Sequence, residues 1–215
     1  VKTTGKLKSV TMTNELGVEV KEKLSKDAKT WSTAEDLGYN HTYSIVASDV
    51  DGNKKKLSFS TPQAAGVAEV SLTPIPDSEV GVGQVIGVNF GVPITDRKAA
   101  EKTITVTTNP EVKGAFYWVN NQEVRWRPKE YWEPGTKVEV KVDQYGKDLG
   151  GGIYGGENAK TNFTIGDRTV AIIDNATKTM KVFKNKKFLR AIPVSLGRDY
   201  QYDTPNGRYI IGAVS

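Results

Sequence analysis

The residue types that usually perform catalysis are scarce in this sequence of 215 residues. The single histidine, His41, has no cysteine or acidic motif beside it, and the chain contains no cysteine. A hydrolase or transferase needs a nucleophile next to a base, and the short serine and zinc motifs that supply such pairs do not occur. The sequence therefore assigns no catalytic, cofactor-binding or metal-binding residue. His41 is predicted to be an ordinary surface residue of a loop.

Two pairs of acidic residues lie close together in the sequence, Glu35 with Asp36 and Asp49 with Asp51. Residues 49–53 resemble the beginning of a calcium-binding loop, but they lack the later ligands and the downstream glutamate that such a loop needs. Acidic side chains commonly cap helices and bond to the backbone in turns. We interpret both pairs as capping and turn residues.

The basic charge is concentrated at the end of the chain. Residues 166–215 contain nine basic and four acidic side chains, an excess that equals the net charge of +5 of the whole sequence. A basic patch favours a polyanion such as nucleic acid or an anionic wall polymer, whereas lysines on solvated strands and turns need no partner. No nucleic-acid-binding motif occurs, so no nucleic-acid partner is predicted.

No apolar run is long enough to span a membrane, and Val1 does not begin a signal peptide. The sequence therefore either lacks its targeting segment or never had one. The absence of cysteine excludes a disulfide framework and is compatible with export.

Five apolar positions recur with a spacing of 95 residues, which indicates two related domains. In each copy a tryptophan comes first, a large apolar residue follows six positions later, and a strand alternating apolar and polar residues comes after a turn. Such alternation is typical of a strand with one buried face. The five pairs are Trp31 and Trp126, Leu37 and Trp132, Tyr43 and Val138, Ile45 and Val140, and Ala47 and Val142. Two immunoglobulin-like β-sandwiches, each with a buried tryptophan, are predicted.

The second copy contains further readable elements. Residues 96–102 are predicted to form a short helical turn, and residues 103–107 alternate like a strand. Residues 116–126 are predicted to form a hairpin with a turn at Asn120 and Asn121. Its aromatic residues are expected to lie in the core, although Tyr117 with Trp118, and Tyr131 with Trp132, would also suit a glycan-stacking platform.

Three domains are predicted: residues 1–62, residues 63–166 and residues 167–215. The linker candidates are residues 60–66 and 165–167. After the second linker, the sequence changes to short strands that alternate with short turns. The last domain reads as three short strands at 170–173, 179–183 and 188–194. A turn at 204–207 then begins a further strand at Tyr209, Ile210 and Ile211.

The last domain is predicted to be incomplete, because about fifty residues in a few strands bury too little surface to be stable alone. If these strands are ordered, their apolar face needs a cover. The second sandwich, a neighbouring chain or residues outside this sequence could supply it. An open sheet edge is also an aggregation risk.

Several segments resemble the mycobacterial and corynebacterial L,D-transpeptidases. The resemblance over their two immunoglobulin-like domains rests on DLGYNHTY, TDRKAAEK, TTNPEVKGAFYWVNNQEVRWRP, WEPGTKVEVKV, YGKDLGGGIYGGEN and TNFTIGD. The stretch VAIIDNATKTMKVFKNKKFLRAIPVSLGRD, with the later TPNGRYIIG, is similar to the start of their catalytic domain. The resemblance implies an all-β fold of two tandem immunoglobulin-like sandwiches followed by an incomplete β-rich catalytic domain.

The resemblance also implies a function. Enzymes of this family are exported to the cell envelope and form 3-3 cross-links between peptidoglycan stem peptides through a cysteine acyl-enzyme. They are inhibited by carbapenems. The family's catalytic cysteine and histidine motif has no counterpart here, so the chain is expected to be a truncated, inactive part of such an enzyme. Only scaffold positions correspond: Thr204, Pro205, Asn206, Gly207 and Tyr209.

The same resemblance implies peptidoglycan stem peptides as partners, no cofactor, and membrane attachment only through an N-terminal anchor that this sequence lacks. A monomer or weak oligomer is expected. The alternative hypothesis is a non-catalytic immunoglobulin-like module that binds the cell wall or a protein through the aromatic pairs at 117–118 and 131–132. An exposed aromatic cluster would favour this module, and burial of the rings would favour a spacer. A purely structural, adhesin-like protein is a weaker third hypothesis, because it leaves residues 204–207 unexplained.

Overall fold

Short β-strands joined by turns form almost the whole chain, as its composition predicts. The structure is a computed structural model, and it describes residues 1–197, 202 and 204–210. The chain divides into two compact units, Val1–Ala65 and Gly66–Ser215. The predicted boundary after residue 62 lies close to this division, and the further boundary after residue 166 stays a prediction.

The first unit contains two antiparallel sheets. Its strands are β1 (Leu7–Asn14), β2 (Glu22–Leu24), β3 (Trp31–Thr33), β4 (Thr42–Asp49) and β5 (Lys54–Ser60). Strand β4 lies between β1 and β5, and β2 pairs with β3. Both sheets contribute to one core, since its buried side chains come from β1, β3 and β4: Leu7, Val10, Met12, Trp31, Tyr43 and Ile45.

The second unit contains the remaining strands and one helix. The strands are β6 (Gly66–Ala68), β7 (Ser71–Thr73), β8 (Ser78–Val80), β9 (Ile86–Asn89), β10 (Ile104–Asn109), β11 (Gly114–Trp118), β12 (Glu123–Pro128), β13 (Lys137–Val142), β14 (Ile153–Gly155), β15 (Ala159–Ile165), β16 (Thr169–Asp174), β17 (Thr179–Lys184) and β18 (Lys187–Pro193). The helix α1 spans Arg97–Lys102.

Two four-stranded sheets form a β-sandwich in the second unit. One has the order β10-β13-β15-β8 and the other the order β11-β12-β9-β7. A separate parallel pair joins β6 to β14. The inward-facing residues of both sheets share one core, which includes Ile86, Val88, Val124, Val140 and Phe163. The all-β immunoglobulin-like fold is confirmed.

The local predictions for the second unit are also confirmed. The Asp96 carboxylate caps α1 by accepting a hydrogen bond from the Ala99 N–H at 2.9 Å. Strands β11 and β12 form the predicted hairpin, with Phe116 opposite Trp126. In its turn, Asn120 Oδ1 accepts hydrogen bonds from the backbone N–H groups of Gln122 and Glu123.

The residues that recur with a spacing of 95 occupy equivalent positions in the cores of the two units. Trp31 in β3 and Trp126 in β12 are both buried. The corresponding strands of the two copies, β4 and β13, both alternate, with Tyr43 and Val138 pointing into their respective cores. The spacing of 95 residues therefore identifies the same inward positions in two copies of one pattern.

The predicted strands at the end of the chain form a third antiparallel sheet, with β17 between β16 and β18. Two pairings, Val170 with Phe183 and Met180 with Ile192, give its register. The bend at Asn206 and Gly207 is present, but Tyr209 and Ile210 are outside any strand, so that part of the prediction is wrong. A strand needs a hydrogen-bonding neighbour, and none of the described strands pairs with them. Ile211 lies outside the described residues.

Candidate functional site

His41 has an acidic partner that the sequence did not reveal. Its Nδ1 atom lies 2.7 Å from Glu15 Oε1, and the other oxygen of Glu15 accepts a hydrogen bond from the Thr42 N–H at 2.9 Å. The partners are 26 positions apart, and the antiparallel pairing of β1 with β4 brings them together. Long-range strand pairing therefore places a carboxylate against the ring of His41, which lies in the loop just before β4.

The hydrogen bonds between Glu15, His41 and Thr42 serve a structural role. The hydrogen bond from His41 is the main reason why the pKa of Glu15 falls from its ordinary value of 4.5 to about 2. Both oxygens of Glu15 are engaged, one with the imidazole and one with the backbone at the start of β4. The pair therefore ties the end of β1 to the start of β4.

The calcium-like stretch is a turn, as predicted. Asp49 Oδ1 accepts hydrogen bonds from the N–H groups of Asp51 and Asn53, and Asp49 Oδ2 accepts one from the Asn53 side chain at 2.8 Å. These bonds, led by that of the Asn53 side chain, lower the pKa of Asp49. Gly52 has a φ of +90°, which a side chain would strain. The carboxylate oxygens are thus used to close the turn.

In the other acidic pair, Glu35 bonds to a segment 14 residues earlier in the chain and not to a turn of its own, so the prediction of a capping or turn role does not describe it. Glu35 Oε1 accepts a hydrogen bond from the Lys21 N–H at 2.9 Å, and Glu35 Oε2 lies 3.5 Å from the Lys21 ammonium group. Glu35 therefore holds the segment before β2, and the neighbouring Asp36 is exposed.

Two of the tryptophans of the second unit form the centre of its core. Trp126 and Trp132 have ring centroids 5.5 Å apart, and Trp132 is only 2% exposed. The Trp132 backbone N–H donates to Val82 O at 3.0 Å, and its indole N–H donates to Gln84 O at 2.7 Å. Trp132 is therefore a packing residue, which removes it from any glycan-stacking platform.

The two neighbouring aromatic residues of the hairpin, Trp118 and Tyr117, differ in burial: the first packs on the core and the second is exposed. Trp118 is half-buried, stacks on Phe90 with centroids 6.0 Å apart, and donates its indole N–H to Glu101 Oε1 at 2.7 Å. Tyr117 is 39% exposed, and the Arg127 guanidinium lies 5.9 Å from its ring centroid. Since Trp132 is buried and Trp118 is half-buried and stacked on Phe90, the exposed aromatic cluster required for a wall-binding module does not form at these two pairs.

Tyr131 is the second exposed aromatic, also at 39%. Two guanidinium groups lie over its ring, Arg168 at 5.5 Å and Arg208 at 5.6 Å from the centroid. Both arginines belong to the segment after β15, whereas Tyr131 lies in the loop between β12 and β13. The ring therefore contacts two separate parts of the C-terminal segment.

The bend at the end of the described chain is held by its own backbone. The Thr204 N–H donates to Leu196 O at 3.0 Å, and the Tyr209 hydroxyl donates to Pro205 O at 2.6 Å. These contacts use Thr204, Pro205 and Tyr209 as scaffold residues around Asn206 and Gly207.

The sheet formed by β16, β17 and β18 exposes apolar side chains on both faces. The successive residues Ile172 and Ile173 point to opposite faces and are 57% and 49% exposed. Phe188 and Leu189 on β18 are also exposed. Val170 packs against the core of the second unit, so the sandwich supplies only part of the predicted cover. Within the described residues the rest of this apolar surface has no cover, so a neighbouring chain or residues outside this sequence stay its predicted cover.

A surface cleft of about 700 Å³ lies beside α1. Lysines and aspartates both line it, including Lys98, Lys102 and Asp143. Its other two carboxylates are committed to the backbone, Asp96 to the cap of α1 and Asp148 to the Gly150 N–H at 2.8 Å. These contacts build the junction between α1 and the loop after β13.

The described residues contain neither a cluster of metal ligands nor a membrane-spanning helix. Among residues 1–197, 202 and 204–210, no three histidine, cysteine, aspartate or glutamate side chains are grouped closely enough to hold a metal ion. In the same part of the chain, no helix is long and apolar enough to cross a membrane.

Comparison with known proteins gives consistent matches. The bacterial Ig domain family matches residues 1–148. L,D-transpeptidase 2 of Mycobacterium tuberculosis is 44% identical over 212 residues, which cover 97% of this chain and 52% of that protein. L,D-transpeptidase 5 of the same organism is 30% identical over 90% of this chain and 45% of its own length. The chain thus spans about half the length of the curated relatives it matches.

Solved structures agree with these relatives. The L,D-transpeptidase LdtMt1 in complex with imipenem matches with a TM-score of 0.55 and 33% identity, over 65% of this chain and 58% of that one. The similarity extends beyond the segment matched by the Ig domain family, because the 212 aligned residues cover nearly the whole sequence.

Proposed function

Because the chain belongs to the bacterial Ig domain family and is homologous to L,D-transpeptidases, we propose that it is part of a peptidoglycan L,D-transpeptidase. The observation that carries this proposal is the 44% identity over 97% of the chain, which includes the sheet of β16, β17 and β18. Residues 1–62 and 63–166, the two immunoglobulin-like domains, form the stalk, and residues 167–215 form the start of the catalytic domain.

The proposed reaction joins two stem peptides by a 3-3 cross-link. A cysteine thiolate attacks the donor peptide bond and the terminal D-alanine leaves, which gives a thioester. The acceptor amine then attacks the thioester carbonyl, so that an amide bond forms, the C–S bond breaks and the cysteine is released. The 215 residues contain no cysteine, so they cannot form the acyl-enzyme themselves. The nucleophile and its base belong to the part of the enzyme that this sequence does not include.

The stalk role is supported by the way the two units use their aromatic residues. The large indole rings of Trp31, Trp126 and Trp132 are buried, as in a spacer, and His41 is bound to Glu15 within the first unit. We place the enzyme outside the cytoplasm, in the cell envelope, where its proposed substrate lies. Peptidoglycan stem peptides are its proposed partners.

Intact-mass spectrometry with imipenem tests the proposal. The natural protein that contains these residues is expected to gain the mass of one imipenem molecule, while the 215-residue chain gains none. A natural protein that carries no adduct under conditions where LdtMt1 binds imipenem would contradict the proposal. Replacing its cysteines by serine gives the control for specific attachment.

A further inference from the structure

We infer that Tyr131 is the anchor by which the second sandwich holds the C-terminal sheet. Its ring is the common contact of Arg168 and Arg208, whose guanidinium carbons lie 5.5 and 5.6 Å from the centroid. A cation over the face of a tyrosine ring at this distance is attracted by the ring quadrupole. One exposed side chain of the sandwich therefore holds two points of the C-terminal segment.

The anchor stands on a rigid base. The next residue, Trp132, is buried in the core and is fixed by two hydrogen bonds, to Val82 O and Gln84 O. Gly83 lies between those two acceptors, and a Cβ atom added to it would lie 3.8 Å from both Tyr131 and Ile210. The loop carrying Tyr131 and the loop carrying Gly83 thus form one surface, which we call the Tyr131 surface, and Ile210 lies beside it.

The two arginines transmit this attachment to the sheet. The backbone of Arg168 exchanges two hydrogen bonds with Asn185 in the turn between β17 and β18: its N–H donates to Asn185 Oδ1 at 3.1 Å, and its carbonyl accepts from the Asn185 N–H at 2.8 Å. Arg208 follows the bend at Asn206 and Gly207, and the hydrogen bond from Thr204 to Leu196 ties that bend to the segment just after β18. Holding both guanidinium groups therefore fixes the orientation of the whole sheet on the sandwich.

The repeat shows that this surface is specific to the second sandwich. The position equivalent to Tyr131 in the first copy, 95 residues earlier, is Asp36. The position of Trp132 is apolar in both copies, since its equivalent in the first copy is Leu37. The two copies therefore share the core position but not the anchor. Tyr131 is an addition to the common fold at the one sandwich that precedes the C-terminal sheet.

Pulsed electron–electron distance measurements test the inference. The chain contains no cysteine, so spin labels can be attached at Glu111→Cys on the sandwich and Lys187→Cys on β18 without removing native residues. Each cation–π contact at an exposed site corresponds to about a 2- to 5-fold change in population. Tyr131→Ala is therefore expected to raise the undocked population by about 4- to 25-fold if the two contacts are additive, and to broaden the distance distribution.

Tyr117→Ala is the matched control, because Tyr117 has the same exposed fraction of 39% and also faces an arginine, but that arginine lies within its own hairpin. Tyr117→Ala and the ring-preserving Tyr131→Phe should both keep the narrow wild-type distribution. An unchanged distribution in Tyr131→Ala, or equal broadening in Tyr117→Ala, would overturn the inference.

If Tyr131→Ala impairs folding, the double variant Arg168→Ser with Arg208→Ser tests whether the contacts with Tyr131 hold the sheet, because it leaves the buried surroundings of Trp132 intact. It must show the same broadening with an unchanged thermal unfolding midpoint. The measurement uses no activity, so it is independent of the proposed function. If the inference and the proposed function are both correct, the Tyr131 surface orients the start of the catalytic domain on its stalk.

Discussion

Trp126 and Trp132 pack against each other in the second unit with their ring planes 34° apart, and the indole N–H of Trp132 reaches across 48 residues to Gln84 O. The contact connects the end of the β11–β12 hairpin with the loop before β9. It joins three segments of the sandwich at one buried point.

Trp132→Ala should therefore destabilise the second unit by about 3–5 kcal/mol, the usual cost of removing a large aromatic side chain from a core. Urea unfolding followed by far-ultraviolet circular dichroism measures the change. Tyr117→Ala is the control and should cost no more than about 1 kcal/mol, because Tyr117 is a surface residue. Equal losses in the two variants would contradict the assignment of Trp132 to the core.

Gly155→Ala should also destabilise the second unit, by about 1–3 kcal/mol. A Cβ atom at Gly155 would overlap the backbone carbonyl of Gln144, and backbone cannot rotate away. Gln144 is buried, and its side chain donates to Ala68 O and Glu157 O, so any displacement reaches the β6–β14 pair. The matched variant Gly81→Ala, where a Cβ atom meets nothing within 4 Å, should be nearly neutral in the same unfolding experiment.

Acid should weaken the first unit in part through Glu15. The pKa of this carboxylate is lowered to about 2 in the folded chain, from an ordinary 4.5. Its stabilising contribution is therefore complete above about pH 4.5 and is lost as the pH falls toward 2. Carboxyl carbon chemical shifts should show the low titration midpoint.

The same titration predicts the behaviour of variants. The unfolding temperature of Glu15→Gln should fall less than that of the wild type between pH 5 and pH 2. Asp36→Asn, at an exposed carboxylate of the same unit, should leave that pH dependence unchanged. A Glu15 midpoint near 4.5 would show that the contact with His41 does not form in solution.

The exposed sheet should make the 215-residue chain self-associate at high concentration. Its apolar residues lie on both faces, and exposed strands of this kind pair with one another. Light scattering coupled to size-exclusion chromatography should show oligomers that Ile173→Lys or Phe188→Lys reduces. Val46→Lys, at an exposed apolar site of the first unit, should not reduce them, and a strictly monomeric wild type at high concentration would contradict the prediction.

Local patterns were sufficient to predict much of the fold. Alternation identified β4 and β13, the aspartate before α1 marked its start, and the Asn120 turn located the hairpin. Each of these depends on residues close together in sequence. The spacing between Trp31 and Trp126 extended the prediction to two copies, since a repeat transfers local information over long distances.

Contacts between residues far apart in the sequence could not be predicted from local patterns. The partner of His41 depends on the register of β1 against β4, which places Asn14 opposite Tyr43. The role of Tyr131 depends on where Arg168 and Arg208 arrive in space. The strand expected at Tyr209 was wrong for the same reason, because its formation depends on a neighbour and not on its own composition.

The parallel pairings of the second unit have a consequence for the order in which the chain can fold. Strand β6 pairs with β14, and β8 pairs with β15 up to Ile165, so the sandwich cannot close until nearly all of its residues have been synthesised. The main sheet of the first unit closes within residues 7–60. Pairings between distant segments form slowly, so the first unit can be complete while the second is still a set of open hairpins.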